Sequence, residues 1–111
     1  MGFAASQGRL LMLVARKHDL ELQLQFINQA RLQLSQSMTR LFMAGANLEP
    51  GSEGANRIQF VTAAANAQEK QLDILAQQFD SQLQAVNTEI DSVRKVISDN
   101  IQRSFKLNGQ G

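Results

Sequence analysis

An all-α fold, a long antiparallel two-helix hairpin of coiled-coil type, is predicted by three features of the sequence. Turn chemistry is concentrated in one stretch. Residues 45–54, Gly45-Ala46-Asn47-Leu48-Glu49-Pro50-Gly51-Ser52-Glu53-Gly54, hold the only Pro and three of the seven Gly. Long segments almost free of helix breakers flank it on both sides. Within each segment, apolar residues recur at steps of three and four, which is helical periodicity rather than the alternation of a strand. The expected organisation is a single domain over 1–111, with a helix over 4–44, a loop over 45–54 and a helix over 55–106. At 1.5 Å per residue the helices would be about 60 and 77 Å long.

The first helix carries a heptad seam. Positions 10, 13, 17, 20, 24, 27, 31, 34, 38 and 41 read Leu, Leu, Lys, Leu, Leu, Ile, Arg, Leu, Met and Leu. Strict 3-4 spacing of this kind places one stripe against a partner helix. Leu20 to Phe26 also alternates apolar and polar residues, as a strand would. Helix formers bracket it without turn residues, so it reads as helix. Residues two apart on a helix point to nearly opposite sides. Leu22 and Phe26 therefore face away from the seam of Leu20 and Leu24, on the side that also takes Leu11, Val14, Leu32 and Met43. The first helix is apolar on two faces, and a hairpin covers only one of them. A contiguous exposed apolar face marks an interface. Leu11, Leu22, Phe26 and Leu32 are the candidate assembly residues.

The loop is a helix stop. Pro50 removes a backbone donor and its ring clashes with a preceding helical turn, and Pro-Gly is a turn signal.

The second helix shows apolar residues at 58, 61, 65, 72, 75, 79, 83, 86, 90, 93, 97 and 101. Taken with Gln68, this seam advances close to the period of a straight helix. Its 4-4 steps at 75–79–83 and 93–97–101 are expected to act as stutters. The expected hairpin core is Leu13, Leu20, Leu24, Ile27 and Leu34 against Leu72, Leu75, Phe79, Val86, Ile90 and Val93. A weaker extra stripe runs through Phe60, Ala63, Ala67, Ile74, Ala85 and Val96. Two helices alone have no third element to close a core, so the folded form is expected to be an oligomer.

Composition excludes several classes of function. The 43% hydrophobic and 19% charged content is that of a globular chain rather than a disordered one. There is no Cys, and there is one His, so a disulfide scaffold, a thiol enzyme and a multi-histidine metal site are excluded within one chain. Eleven basic residues against ten acidic ones argue against a nucleic-acid surface. Asp19 with Glu21, and Glu89 with Asp91, are spaced by two and do not share a helix face; they read as solvated charge. His18 reads as a surface or capping residue. Gly51-Ser52-Glu53-Gly54 lacks the Lys of a phosphate loop, and no Ser sits in a nucleophile elbow. No enzymatic activity and no cofactor are expected. Glutamine is abundant, 15 residues in all. It suits both tightly packed uncharged surfaces and exposed helix, since it is a good helix former.

The first segment, residues 1–46, is net positive and the remainder net negative, a split that helps set register more than stability. Arg9, Arg16 and Lys17 beside Leu10–Val14 could attract anionic lipid, so a membrane-surface amphipathic helix is a further alternative, although three charges are few for it. The apolar run Leu10–Ala15 is too short for a signal peptide, and no run approaches a membrane span. The expectation is a protein that is cytoplasmic, or exported without a cleaved leader. Gly2 followed by Ser6 fits an N-myristoylation pattern; the reading preferred is an ordinary helix entry with Ser6 as N-cap.

Two resemblances follow. Gly2-Phe3-Ala4-Ala5-Ser6-Gln7-Gly8-Arg9-Leu10-Leu11, continued by Ala15-Arg16-Lys17, Asp19, Glu21 and Gln25-Phe26-Ile27-Asn28, resembles a group of short uncharacterised bacterial proteins. In that group Ala is usual at the place of Gly8 and Thr at that of Val14. The resemblance spans about the first 30 residues and implies a bacterial origin but no activity. The hairpin itself, with a Pro-containing turn, no Cys, no leader and abundant Gln, Asn, Ser and Ala, is similar in architecture to type III secretion needle subunits and to the terminal helices of flagellins. Ser81-Gln82-Leu83-Gln84-Ala85-Val86-Asn87-Thr88-Glu89-Ile90-Asp91 resembles flagellin-type coiled coil. The chain is longer than a needle subunit and lacks a flagellin's variable middle domain. That likeness implies a self-assembling subunit of an exported filament or secretion-linked assembly, with itself and secretion-apparatus proteins as partners. The alternative is a cytoplasmic coiled-coil adaptor or secretion chaperone that buries the same outer face in a different protein.

Overall fold

The computed structural model describes residues 2–110, with the side chain of Gln110 outside the description. Two α-helices make up the fold: α1 over Phe3–Gly45 and α2 over Glu53–Gln110. They pack against each other as a helical hairpin, and the described residues contain no strand. Each helix extends slightly past the boundaries the sequence predicts.

The turn is built from its own chemistry. Ser52 N–H donates to the Glu49 carbonyl at 3.1 Å, closing a β-turn over Glu49-Pro50-Gly51-Ser52. Gly51 has φ of +83°, the left-handed value that the third position of a type II turn requires and that Pro at the second position accompanies. Ser52 then caps α2: its Oγ accepts from Ala55 N–H at 3.2 Å, satisfying one of the orphan donors of the first turn. Glu53 follows in that first turn, where a carboxylate complements the helix dipole. A Cβ at Gly45 would sit 3.4 Å from the Ile58 side chain, so the helices approach closely just before the turn.

Contacts cluster in two units. The first joins residues 2–22 to 80–110. Its core is Leu13 and Leu20 from α1 with Val86, Ile90 and Val93 from α2, all buried. Arg9 reaches Glu89 at 3.1 Å and Arg16 reaches Gln82 Oε1 at 3.3 Å along its edge. The second unit covers residues 23–79 and contains the turn. Ile27 and Ala65 are its buried apolar residues. Arg31 lies on the α1 seam there and is half-buried. Its guanidinium donates through Nε and Nη2 to Glu69 Oε1 at 3.1 and 2.9 Å, and it stands 3.6 Å from Asp73.

All ten seam positions named on α1, from Leu10 to Leu41, are buried or half-buried. The α2 seam differs from the expected one. Its shielded positions are 58, 62, 65, 69, 72, 76, 79, 83, 86, 90, 93, 97 and 100, a strict 3-4 ladder without stutters. Thr62, Glu69, Ala76 and Asn100 take inner places, while Val61, Leu75 and Ile101 are exposed. Leu75, expected in the core, is 41% exposed. The physical reason is period matching. Two helices packed side by side share one period, and the shielded positions of α1 keep 3-4 spacing from Leu10 to Leu41. Apolar residues of α2 that fall off that period turn outward, and Glu69 turns inward because Arg31 meets it.

Ser6 is corrected too. It is not the N-cap. α1 begins at Phe3, Ser6 N–H donates to the Gly2 carbonyl at 3.0 Å, and the residue is fully buried one turn before Leu10. No buried side-chain polar atom among the described residues lacks a partner.

Candidate assembly interface

The outer side of α1 follows from its inner side. Once the heptad seam fixes which residues meet α2, those two positions away are turned to solvent. Leu11 is 72% exposed, Leu22 47%, Phe26 59% and Leu32 60%. Met12, Phe42 and Met43 are exposed beside them. The apolar residues of α1 are so evenly divided between opposite sides that they nearly cancel as a vector sum, whereas those of α2 favour one side. That is compatible with a helix apolar on more than one side.

The contrast with the core is large. Seven apolar residues are buried among the described residues, and seventeen large ones are exposed. Scattered exposed apolar residues are ordinary; here they are organised. On α2 the stripe of Phe60, Ala63, Ala67, Ile74, Ala85 and Val96 is exposed throughout. Of the expected core, Leu13, Leu20, Ile27, Val86, Ile90 and Val93 are buried, and Leu24, Leu34, Leu72 and Phe79 are half-buried.

Near the turn, within the second unit, Leu41, Phe42 and Gly45 face Ala55, Ile58 and Thr62 across an open groove of about 490 Å³. Exposed Phe42 and Phe60 rise beside it, and Phe42 also borders a second groove with Met38 and Met43. The sequence reading passed over Met12 and Phe42. The signal for Phe42 was its place in the apolar run Leu41-Phe42-Met43, which overflows a two-position seam.

The ionisable groups do not converge. Ion pairs join Arg9 to Glu89, Lys17 to Glu21, Arg31 to Glu69 and Asp73, and Arg57 to Glu53, all with partly or fully exposed side chains. Among the described residues no group of three or more His, Asp or Glu is placed to hold a metal ion, and no helix is long and apolar enough to cross a membrane. Comparison with protein-family models, with curated proteins and with solved structures finds no match to this chain.

Proposed function

We propose that this chain is a structural protein whose activity is to assemble with itself through the outer face of α1. The observation that carries this reading is the exposure of Leu11, Leu22, Phe26 and Leu32 along a helix whose opposite face is already packed. Removing one such side chain from water is worth about 1.5–3 kcal/mol when burial is complete. Four of them on the outer side of one helix are a substantial drive to associate. The architectural resemblance to needle subunits and flagellin helices is the ground for reading such assembly as part of an exported bacterial filament or a secretion-linked structure. On the same reading, secretion-apparatus proteins are the accessory partners proposed.

The test is the double variant Leu22→Glu with Phe26→Glu. Both positions are exposed, so the hairpin has little packing to lose there. The wild type should form particles larger than a single chain by light scattering and negative-stain microscopy. The variant should lose those particles and keep its helicity, by circular dichroism, in any small oligomer that remains. Assembly that survives the double substitution contradicts the reading. A wild type that stays a single chain and co-purifies with a different protein points instead to an adaptor.

A further inference from the structure

α2 changes sign along its length. From Glu53 to Asp91 it carries six acidic and two basic residues, and from Ser92 to Gln110 four basic and one acidic. The four cations are Arg94, Lys95, Arg103 and Lys106, and the one anion is Asp99. All four cations are exposed, and among the described residues none of them joins an ion pair. The helix dipole does not account for them, since none stands in the last turn.

The same segment is where α2 leaves its partner helix. α1 begins six residues before Arg9, which is held to Glu89, and six residues beyond Glu89 is Lys95. The ladder of shielded positions accordingly stops at Asn100, and residues Ile101 to Gly109 are all exposed. Apolar residues nevertheless continue. Ile97, Ile101 and Phe105, spaced by four, form one ridge. Phe105 is 79% exposed, and Leu107, 72% exposed, flanks the ridge. Arg103 and Lys106 point about 160° and 140° away from Ile101. One side of the segment is apolar and the other basic, the pattern of a helix that lies in the plane of a membrane interface.

Charge selects the occupant. A second copy of the same segment would set cations against cations, which repels. Most carboxylates elsewhere on the chain are already engaged: Glu69 and Asp73 with Arg31, Glu89 with Arg9, Glu21 with Lys17 and Glu53 with Arg57. Nucleic acid would satisfy the cations through its phosphates and leave the Ile and Phe ridge in water. An anionic lipid surface meets both halves: its headgroups attract Arg and Lys, and its acyl boundary takes the ridge. We propose that the α2 segment from Arg94 to Leu107 docks on the surface of an anionic lipid bilayer, seating Ile101 and Phe105 in it without crossing it. The site shares no residue with the assembly face of α1.

Flotation with lipid vesicles on a density gradient tests this, because protein particles alone do not float. The vesicles are pure phosphatidylcholine, or phosphatidylcholine with phosphatidylglycerol at roughly three to one, a surface negative enough to attract a cluster of cations. The full chain should float with the anionic vesicles. It should float several-fold less with the neutral ones, or in high salt, where surface charge is screened. Two double variants, Arg103→Gln with Lys106→Gln and Ile101→Gln with Phe105→Gln, should each lower binding by about ten-fold or more. All four positions are exposed, so circular dichroism should stay that of the wild type. Flotation that ignores lipid charge overturns the proposal, as does flotation kept by both variants, which moves binding elsewhere on the chain. Binding lost with the charges and kept without Ile101 and Phe105 overturns the seated ridge and points to a polyanion such as nucleic acid. A wild type that never floats overturns the lipid assignment and leaves the segment to an acidic protein surface. None of these outcomes bears on self-assembly, which the Leu22 and Phe26 variant tests separately.

Discussion

Leu22 and Leu20 are two residues apart and have opposite fates. Leu20 is 3% exposed and Leu22 47%, because a two-residue step on a helix turns the side chain nearly to the other side. That much was legible from the alternation of Leu20 to Phe26 alone. Leu75 was not legible. Its hydrophobicity put it in the expected core, and only the pitch set by α1 shows that Ala76 takes the place. The two sites give a paired prediction. Leu20→Ala should cost about 2–5 kcal/mol, the range for emptying a packed leucine site. Leu75→Ala should cost less than about 1 kcal/mol. Chemical denaturation at one fixed protein concentration checks both, since association otherwise moves the midpoint. A comparable loss at the two positions would contradict the observed seam.

At the scale of the elements, the two helices and the break between them were legible, because Pro50 and the glycines are punctuation that no packing overrides. The capping was not. Ser6 was expected to cap α1 and lies buried within it, while Ser52, the cap of α2, carried no weight in the sequence reading. A Ser at a helix start and a Ser on a helix face look alike until a partner helix decides which is which. Two substitutions measure the turn. Gly51→Ala places a Cβ on a residue at φ +83° and should destabilise the hairpin by more than about 1 kcal/mol. Ser52→Ala removes the acceptor for Ala55 N–H and should cost about 1 kcal/mol. Thermal melts of both, again at matched concentration, give the comparison. An unchanged melting temperature for Gly51→Ala would mean that the turn adopts another shape.

For the whole molecule, the governing fact is the imbalance between few buried apolar residues and many exposed ones. It arises from architecture. A two-helix hairpin buries one stripe per helix, and this sequence supplies more than one stripe to α1. The stripes were visible in the sequence, and so were Leu11, Leu22, Phe26 and Leu32 as their outward members.

The most direct test of self-assembly is the mass of the wild-type chain by sedimentation velocity over a series of concentrations. The account predicts a species at least twice the 12.3 kDa of one chain, growing in proportion as concentration rises. A helical species that sediments as one chain at every concentration would contradict it.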